Sequence, residues 1–311
     1  MRAIVVRAVG GPEALELVDV PVPVPGVGQV RIRVEAAAVN PVDLATRSGA
    51  LIPAGLMAPR DVIGIGWDVA GRIDQVGPGV TAFAEDDRVI GVQDRLDVSL
   101  GAYAEYVVLD AAAVAPAPSR LSAAEASTLP LNGLTALQSL DLLAAEPGAT
   151  LLVTGAAGAV GGYAVELAAL RGLRVVAGAG AEDEAFVRKA GARWFVERSA
   201  DLAAAVRELV PGGVDCVLDA AVLGLPALGA VRNRGAFVSV IGGAAPVPLR
   251  GIRVHEQWVA ADSGALALLS SLAESGRLTP RVADTMPLQE AARAHRRLAE
   301  GGLRGRLVLI P

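Results

Sequence analysis

Three glycines, Gly155, Gly158 and Gly161, stand at three-residue spacing directly behind the apolar run Leu151-Leu152-Val153. That run does not alternate with polar residues, as expected of a strand covered on both faces. From Val160 to Leu170 the apolar residues Val160, Ala164, Leu167 and Ala168 recur at helical spacing, and Glu166 is the only charge. A second apolar stretch, Leu173 to Ala177, follows. Strand, glycine turn, helix and strand in this order can bind a dinucleotide. Small residues admit a pyrophosphate to the backbone, and the N–H groups and dipole of the helix start stabilise its charge. A chain with 36 glycines also yields such spacing by chance, in which case the turn merely packs helix on strand. The βαβ context favours the cofactor, with Gly155, Ala156, Gly158, Ala159 and Val160 as the candidate contacts.

The second strand ends in Gly178-Ala179-Gly180. NAD enzymes place a carboxylate here against the ribose 2′-hydroxyl. Its absence leaves room for the 2′-phosphate of NADPH beside Gly178 and Gly180, with NADH also possible. Glu182, Asp183 and Glu184 come next, and three acids disfavour a phosphate unless they point to solvent. Arg188 and Lys189 read as solvated helix surface.

These residues need elements to hold them. With 311 residues the chain has room for about two domains. Residues 1 to 117 carry short strands punctuated by Gly and Pro, such as Val30 to Val34, Val69 to Val76 and Asp87 to Val92, and predict an antiparallel, barrel-like domain. The pattern changes near Ser122, where Ser122-Ala123-Ala124-Glu125 forms a capping box. Strands and helices then alternate to about residue 260, which predicts a parallel sheet covered on both faces. A helix from Ser263 to Glu274 and a strand from Gly305 to Ile310 close the chain.

Composition narrows the function. A net charge of −5 without a Lys/Arg cluster argues against nucleic acid as a partner. No apolar run is long enough to span a membrane, and the start of the chain reads as a strand and not a signal peptide. The single cysteine, Cys216, excludes an intrachain disulfide and fits a cytoplasmic protein.

The segments Gly11-Pro12-Glu13-Ala14-Leu15, Ala36 to Asp43, Gly66 to Gly71, Gly101 to Tyr106 and Leu131 to Ala136, with the glycine loop and Gly305 to Leu309, together resemble the zinc-independent quinone oxidoreductase branch of the medium-chain dehydrogenase/reductase superfamily. The resemblance covers essentially the whole chain. It implies an α/β protein: a GroES-like β-barrel catalytic domain, residues 1–117 and 261–311, around an inserted Rossmann dinucleotide-binding domain, 118–260. Zinc-dependent relatives use Cys, His and Glu ligands. Here Asn40, Trp67 and Asp68 stand at those places, and one cysteine cannot build a structural zinc site, so no zinc is expected. Cys216 reads as buried packing, and His255 and His295 as surface or edge residues.

Without a Lewis acid, ionising an alcohol is difficult. Hydride transfer from a reduced nicotinamide to a quinone or an α,β-unsaturated carbonyl needs only orientation and a hydrogen-bond donor at the developing oxyanion. The resemblance places Asn40 beside the substrate, where its amide donates to a carbonyl; the equal alternative is that it serves the turn before Pro41. Thr135 matches a residue that contacts the nicotinamide, or it bonds its own helix backbone. Ile241 and Gly242 match a loop on the nicotinamide side. Tyr103 is either a proton donor or core. Arg198 stands after the third strand, where relatives often use Tyr against the 2′-phosphate. Leu44 to Arg60 and Gln93 to Leu100 are expected at the substrate entrance. Relatives also pair the strand Gly251 to Val259 across a two-fold axis, which implies a homodimer with Trp258 buried in it. The leading expectation is an NADPH-dependent reductase. A biosynthetic enoyl reductase or cyclase and a cofactor-binding protein with little turnover are the alternatives.

Overall fold

The computed structural model describes residues 1–198 and 200–311 and divides into two compact units, Met1–Leu131 with Ala260–Pro311, and Asn132–Val259. The division falls later than the composition change at 117. Residues 118–131 stay with the first unit because the short helix they contain packs on its sheet and the Leu131 N–H donates to Asp68 there, 2.6 Å away.

The first unit begins with β1 (Arg2–Val6), β2 (Glu16–Asp19), β3 (Gln29–Ala38), α1 (Pro41–Ser48), β4 (Ile63–Gly64), β5 (Asp68–Val76), β6 (Arg88–Val92), β7 (Tyr106–Asp110), β8 (Val114–Pro116) and α2 (Ala123–Ala126). In β3, Val30, Ile32 and Val34 alternate inward, which gives the strand one core face. The strand pairs antiparallel with β5 along one edge and with β7 along the other. Helix α1 was not anticipated, although its start is written in the sequence. Asn40 is the extended N-cap, Pro41 occupies the first helical position, and the Asp43 carboxylate accepts the Asn40 N–H at 2.8 Å. Gly49, in the left-handed conformation at φ 76°, ends it.

Across the division run α3 (Pro130–Leu143), β9 (Thr150–Thr154), α4 (Ala159–Leu170), β10 (Arg174–Ala179), α5 (Glu184–Lys189), β11 (Trp194–Glu197), α6 (Leu202–Leu209), β12 (Val214–Asp219), α7 (Leu225–Gly229), β13 (Val231–Ser239) and β14 (Arg253–Glu256). The six strands form one parallel sheet in the order β11-β10-β9-β12-β13-β14. Leu151, Leu152, Val153, Val217 and Leu218 are fully buried in it, as the unalternating runs required. Strand order reverses between β9 and β12, and ligands of open α/β sheets bind at the carboxyl ends beside such a switch point. The expected strand 251–259 is shorter, Arg253–Glu256, and lies at one end of the sheet order.

The chain returns to the first unit with α8 (Ser263–Glu274), β15 (Val282–Pro287), α9 (Ala291–Ala299) and β16 (Arg306–Ile310). The β15–β16 pair is parallel, a departure from the purely antiparallel domain expected, because α9 crosses over between the two strands. Among the described residues no helix is long and apolar enough to cross a membrane.

Candidate functional site

In the second unit the three glycines do three different things. Gly155 leaves β9 at φ 57°, a left-handed turn that a β-carbon would strain. Gly158 is the N-cap of α4 and offers no side chain to the helix end. A β-carbon on Gly161 would be driven into the Gly155 carbonyl group, 2.7 Å from its carbon. Helix α4 therefore lies against the turn at backbone distance. Its first-turn N–H groups, on Ala159, Val160 and Gly161, are uncapped by any side chain and sit beside the switch point. This is a cradle for an anion. Ala156 belongs to it differently from expectation: its side chain is buried and its N–H donates to the Gly178 carbonyl at 3.0 Å, which ties the turn to β10.

A residue that sequence reasoning passed over, Asp219, braces this corner. It is buried at the end of β12 and accepts from the Thr154 hydroxyl at 2.6 Å, the Leu223 N–H at 3.1 Å and the Gly224 N–H at 2.8 Å. The Thr154 oxygen in turn accepts the Ala221 N–H at 3.0 Å. The first strand and the loop after the fourth are thus fixed to each other. The sequence signal was available: a charged residue ends the apolar run Cys216-Val217-Leu218 opposite Thr154.

At the end of β10, Gly178 and Gly180 lie where the ribose side of a dinucleotide is expected. Gly180 carries the Glu182 side chain folded over it; a β-carbon there would lie 2.7 Å from the Glu182 carboxyl carbon. Arg198, 73% exposed, points its guanidinium at that same carboxylate, 3.6 Å away. Arg198 is therefore in the expected region but paired with Glu182, which folds back over Gly180 while staying exposed. Ile241 and Gly242 follow β13; the Trp258 ring covers Gly242 so closely that a β-carbon there would collide with it. Trp258 remains 54% exposed in the single chain. Thr135 lies on α3 and is 8% exposed.

The first unit holds a buried polar chain. Asn40 is fully buried and its amide donates to Asp68 at 2.7 Å and, weakly, to the Ala38 carbonyl at 3.4 Å. The side-chain donors expected for a substrate oxygen are spent inside the protein. Tyr103 is also fully buried: its hydroxyl donates to Asp43 at 3.2 Å and accepts from His295 Nε2 at 3.3 Å. His295 Nδ1 lies 3.2 Å from Arg47 Nη1. An arginine can only donate, so His295 carries its proton on Nε2 and the polarity of the whole chain is fixed. Tyr103 is accordingly not an exposed proton donor. Burial, and next the charge of Asp43, hold its hydroxyl well above the usual tyrosine range.

His295 overturns the expectation of a surface residue. It is fully buried, and burial with the Arg47 charge pushes it down to about 3, so the ring is neutral. The expectation rested on the intermediate burial usual for histidine. Yet Ala291, Ala294, His295 and Leu298 share one helical face, and that face is inward. Asp43 and Asp68 are both pushed up to about 7, chiefly by burial. Cys216 is buried packing in β12, its thiol pushed up to about 12 by burial. Among the described residues no group of three or more His, Cys, Asp or Glu is placed to hold a metal. The donors at Asn40, Trp67 and Asp68 do not fit a zinc ion, since only Asp68 offers a charged ligand.

Residues 26–119 match the family described as alcohol dehydrogenase GroES-like domain, and residues 190–309 the family described as zinc-binding dehydrogenase. The quinone oxidoreductase of Mus musculus is 33% identical over 335 residues, covering 100% of this chain and 98% of that protein. The chloroplast envelope quinone oxidoreductase homolog of Arabidopsis thaliana is 38% identical over 190 residues, which is 59% of this chain. That match spans 56% of the plant protein, and the same share of the chloroplastic homolog of Spinacia oleracea. Among solved structures, an NAD-dependent alcohol dehydrogenase superposes with a TM-score of 0.88 at 35% identity over 100% of both chains. The mycobacterial protein Rv1454c complexed with NADPH gives 0.84 at 31% identity, also over 100% of both.

Proposed function

This chain belongs to the quinone oxidoreductase branch of the medium-chain dehydrogenase/reductase superfamily, and we propose that it transfers hydride from NADPH to a quinone or an α,β-unsaturated carbonyl without zinc. The observation that carries this reading is the start of α4, uncapped by any side chain and held at backbone distance from Gly155, an approach that a single β-carbon on Gly161 would prevent. A pyrophosphate fits this helix start, held by backbone N–H groups at the switch point. A reduced nicotinamide supplies the hydride. Thr135 holds the carboxamide end, Asp219 keeps the loop beside the cradle in place, and the Gly242 loop under Trp258 completes that side. Asn40 is kept as the first unit's candidate for the substrate side, with its amide held by Asp68. The proton that completes reduction comes from solvent, since the Tyr103 hydroxyl is closed between Asp43 and His295. Quinones and enones suit a site without a Lewis acid because their electron deficiency does the activating.

The cofactor preference rests on Arg198. In this reading the 2′-phosphate takes Arg198 from Glu182, and Glu182 holds the preference for NADPH to a modest margin. Arg198→Ala should weaken NADPH binding roughly ten- to a hundredfold, from the loss of a charged hydrogen bond worth about 1.5–3 kcal/mol, and leave NADH nearly unchanged. Fluorescence titration with each cofactor measures it. Equal losses for both would make Arg198 structural. An outright preference for NADH would mean that Glu182 reads the ribose hydroxyls.

We further propose that the protein is a homodimer joined through the free edge of β14. Pairing that edge with a second copy removes an exposed row of backbone groups, and Trp258 lies next to it. Trp258→Glu should shift the solution mass from dimer to monomer in analytical ultracentrifugation. A monomeric parent at micromolar concentration would contradict the pairing.

A further inference from the structure

Asn40 joins two buried carboxyl groups of the first unit, and the two are not equivalent. Asp68 accepts the Asn40 amide at 2.7 Å and the Leu131 N–H at 2.6 Å, one on each oxygen, and feels the positive charge of Arg306 on β16. Both of its oxygens are met by donors, as suits an anion. Asp43 accepts the Asn40 N–H and the Tyr103 hydroxyl on Oδ2; the Gly66 N–H also lies near the group and favours its charged form, but no donor closes a hydrogen bond on the buried Oδ1. The groups that face it give it no counter-charge. Tyr103 is neutral, His295 on α9 is neutral behind it, Arg47 donates to His295 and is drawn toward Glu13, and Asp68 adds a like charge. Two anions beside one asparagine, in a dry interior, are disfavoured, so the pair keeps one proton.

We propose that Asp43 is a positioning residue that carries this proton on Oδ1, leaving Asp68 as the anion that fixes the orientation of the Asn40 amide. A neutral Asp43 uses Oδ2 as the carbonyl acceptor for Asn40 and Tyr103, and the unpartnered Oδ1 is the hydroxyl. The charge that remains sits where donors await it, so the Asn40 amide N–H stays on Asp68 and fixes the orientation of the side chain. Were the proton on Asp68 instead, it would have to sit on an oxygen that already meets a donor, from Asn40 or from Leu131, while the anion moved to Asp43, whose Oδ1 meets none. Loss of the Asp43 proton above neutrality puts a second charge beside Asn40 and weakens the arrangement.

The functional arm of the test rests on the reductase reading; the spectroscopic arm does not. Infrared spectra of the unmodified protein should show a buried protonated carboxyl band at neutral pH that fades as pH rises. The band should be absent from Asp43→Asn, in which an amide copies the neutral acid with the same shape. If the band survives in Asp43→Asn, or if the parent shows none, the proton assignment is wrong whatever the enzyme does. In turnover, Asp43→Ala should lose kcat/KM by about tenfold, the scale of one lost hydrogen-bonded group. Asp43→Asn should recover most of that loss, and its profile should no longer bend downward above neutrality where the parent's does. A profile that bends identically in Asp43→Asn and parent overturns the positioning role, and circular dichroism of each variant separates this outcome from misfolding.

Discussion

Placing a methyl group on Gly161 should abolish dinucleotide binding and destabilise the second unit. The β-carbon would meet the Gly155 carbonyl, and both partners are backbone, so no side-chain rotation relieves the overlap. Either α4 moves off β9 or Gly155 abandons its turn. Overpacking a well-packed interior costs about 1–3 kcal/mol, and a backbone clash belongs at the upper end. Moving α4 also removes its N–H groups from the cradle, so binding fails even in the protein that remains folded. Gly158→Ala is the matched control. Its β-carbon would approach the Gly155 oxygen only to 3.1 Å, a contact that a small shift of the turn relieves. Thermal unfolding together with a nicotinamide fluorescence titration should rank parent, Gly158→Ala and Gly161→Ala in that order. Equal binding by parent and Gly161→Ala would remove the glycine loop from the cofactor site.

The second large effect is on stability against pH, through His295. Its folded value, about 3, lies below the ordinary 6.5, so between those limits the unfolded chain binds a proton that the folded chain refuses. Stability from this group is therefore complete above about pH 6.5 and is lost as pH falls toward 3. One proton corresponds to at most about 1.4 kcal/mol per pH unit. Asp43 and Asp68 act with the opposite sign: their folded values lie above the ordinary 3.8, so their contribution is present at low pH and lost as pH rises toward 7. The difference between parent and His295→Gln isolates the histidine. In urea unfolding, the parent's stability relative to His295→Gln should fall steadily with acidification below pH 6.5. A difference independent of pH would mean that the folded chain binds the ring proton as readily as the unfolded one, against the depressed value.

How much of this was legible in the sequence depends on whether the signal was local. The cradle was, because Gly155, Gly158 and Gly161 follow an unalternating apolar strand and precede a helix. The parallel sheet followed from the alternation of strands and helices after Ser122. The capping pair Asn40 and Asp43 was also local, three residues apart, but Asn40 attracted attention for chemistry and Asp43 went unread. The buried chain was not legible. It joins Asp43 and Arg47 on α1, Asp68 on β5, Tyr103 in a loop and His295 on α9, and no pattern in one segment announces partners up to 248 residues away. Buried charge needs the fold to show its compensation. Arg198 shows the converse limit: its position was read from the end of a strand, but its pairing with Glu182 depends on a side chain folding back over Gly180.

The central claim is hydride transfer from a nicotinamide to an electron-poor acceptor with no metal. Its most direct test is turnover by the unmodified protein after exhaustive chelation, with NADPH or NADH supplied against a set of quinones, enones and enals, and with simple alcohols supplied against the oxidised cofactors. The account predicts consumption of reduced cofactor with at least one quinone or enone, faster with NADPH at limiting concentration, and unchanged by the chelator. Oxidation of alcohols that disappears on chelation and returns with zinc would contradict it, as would tight cofactor binding with no turnover of any acceptor.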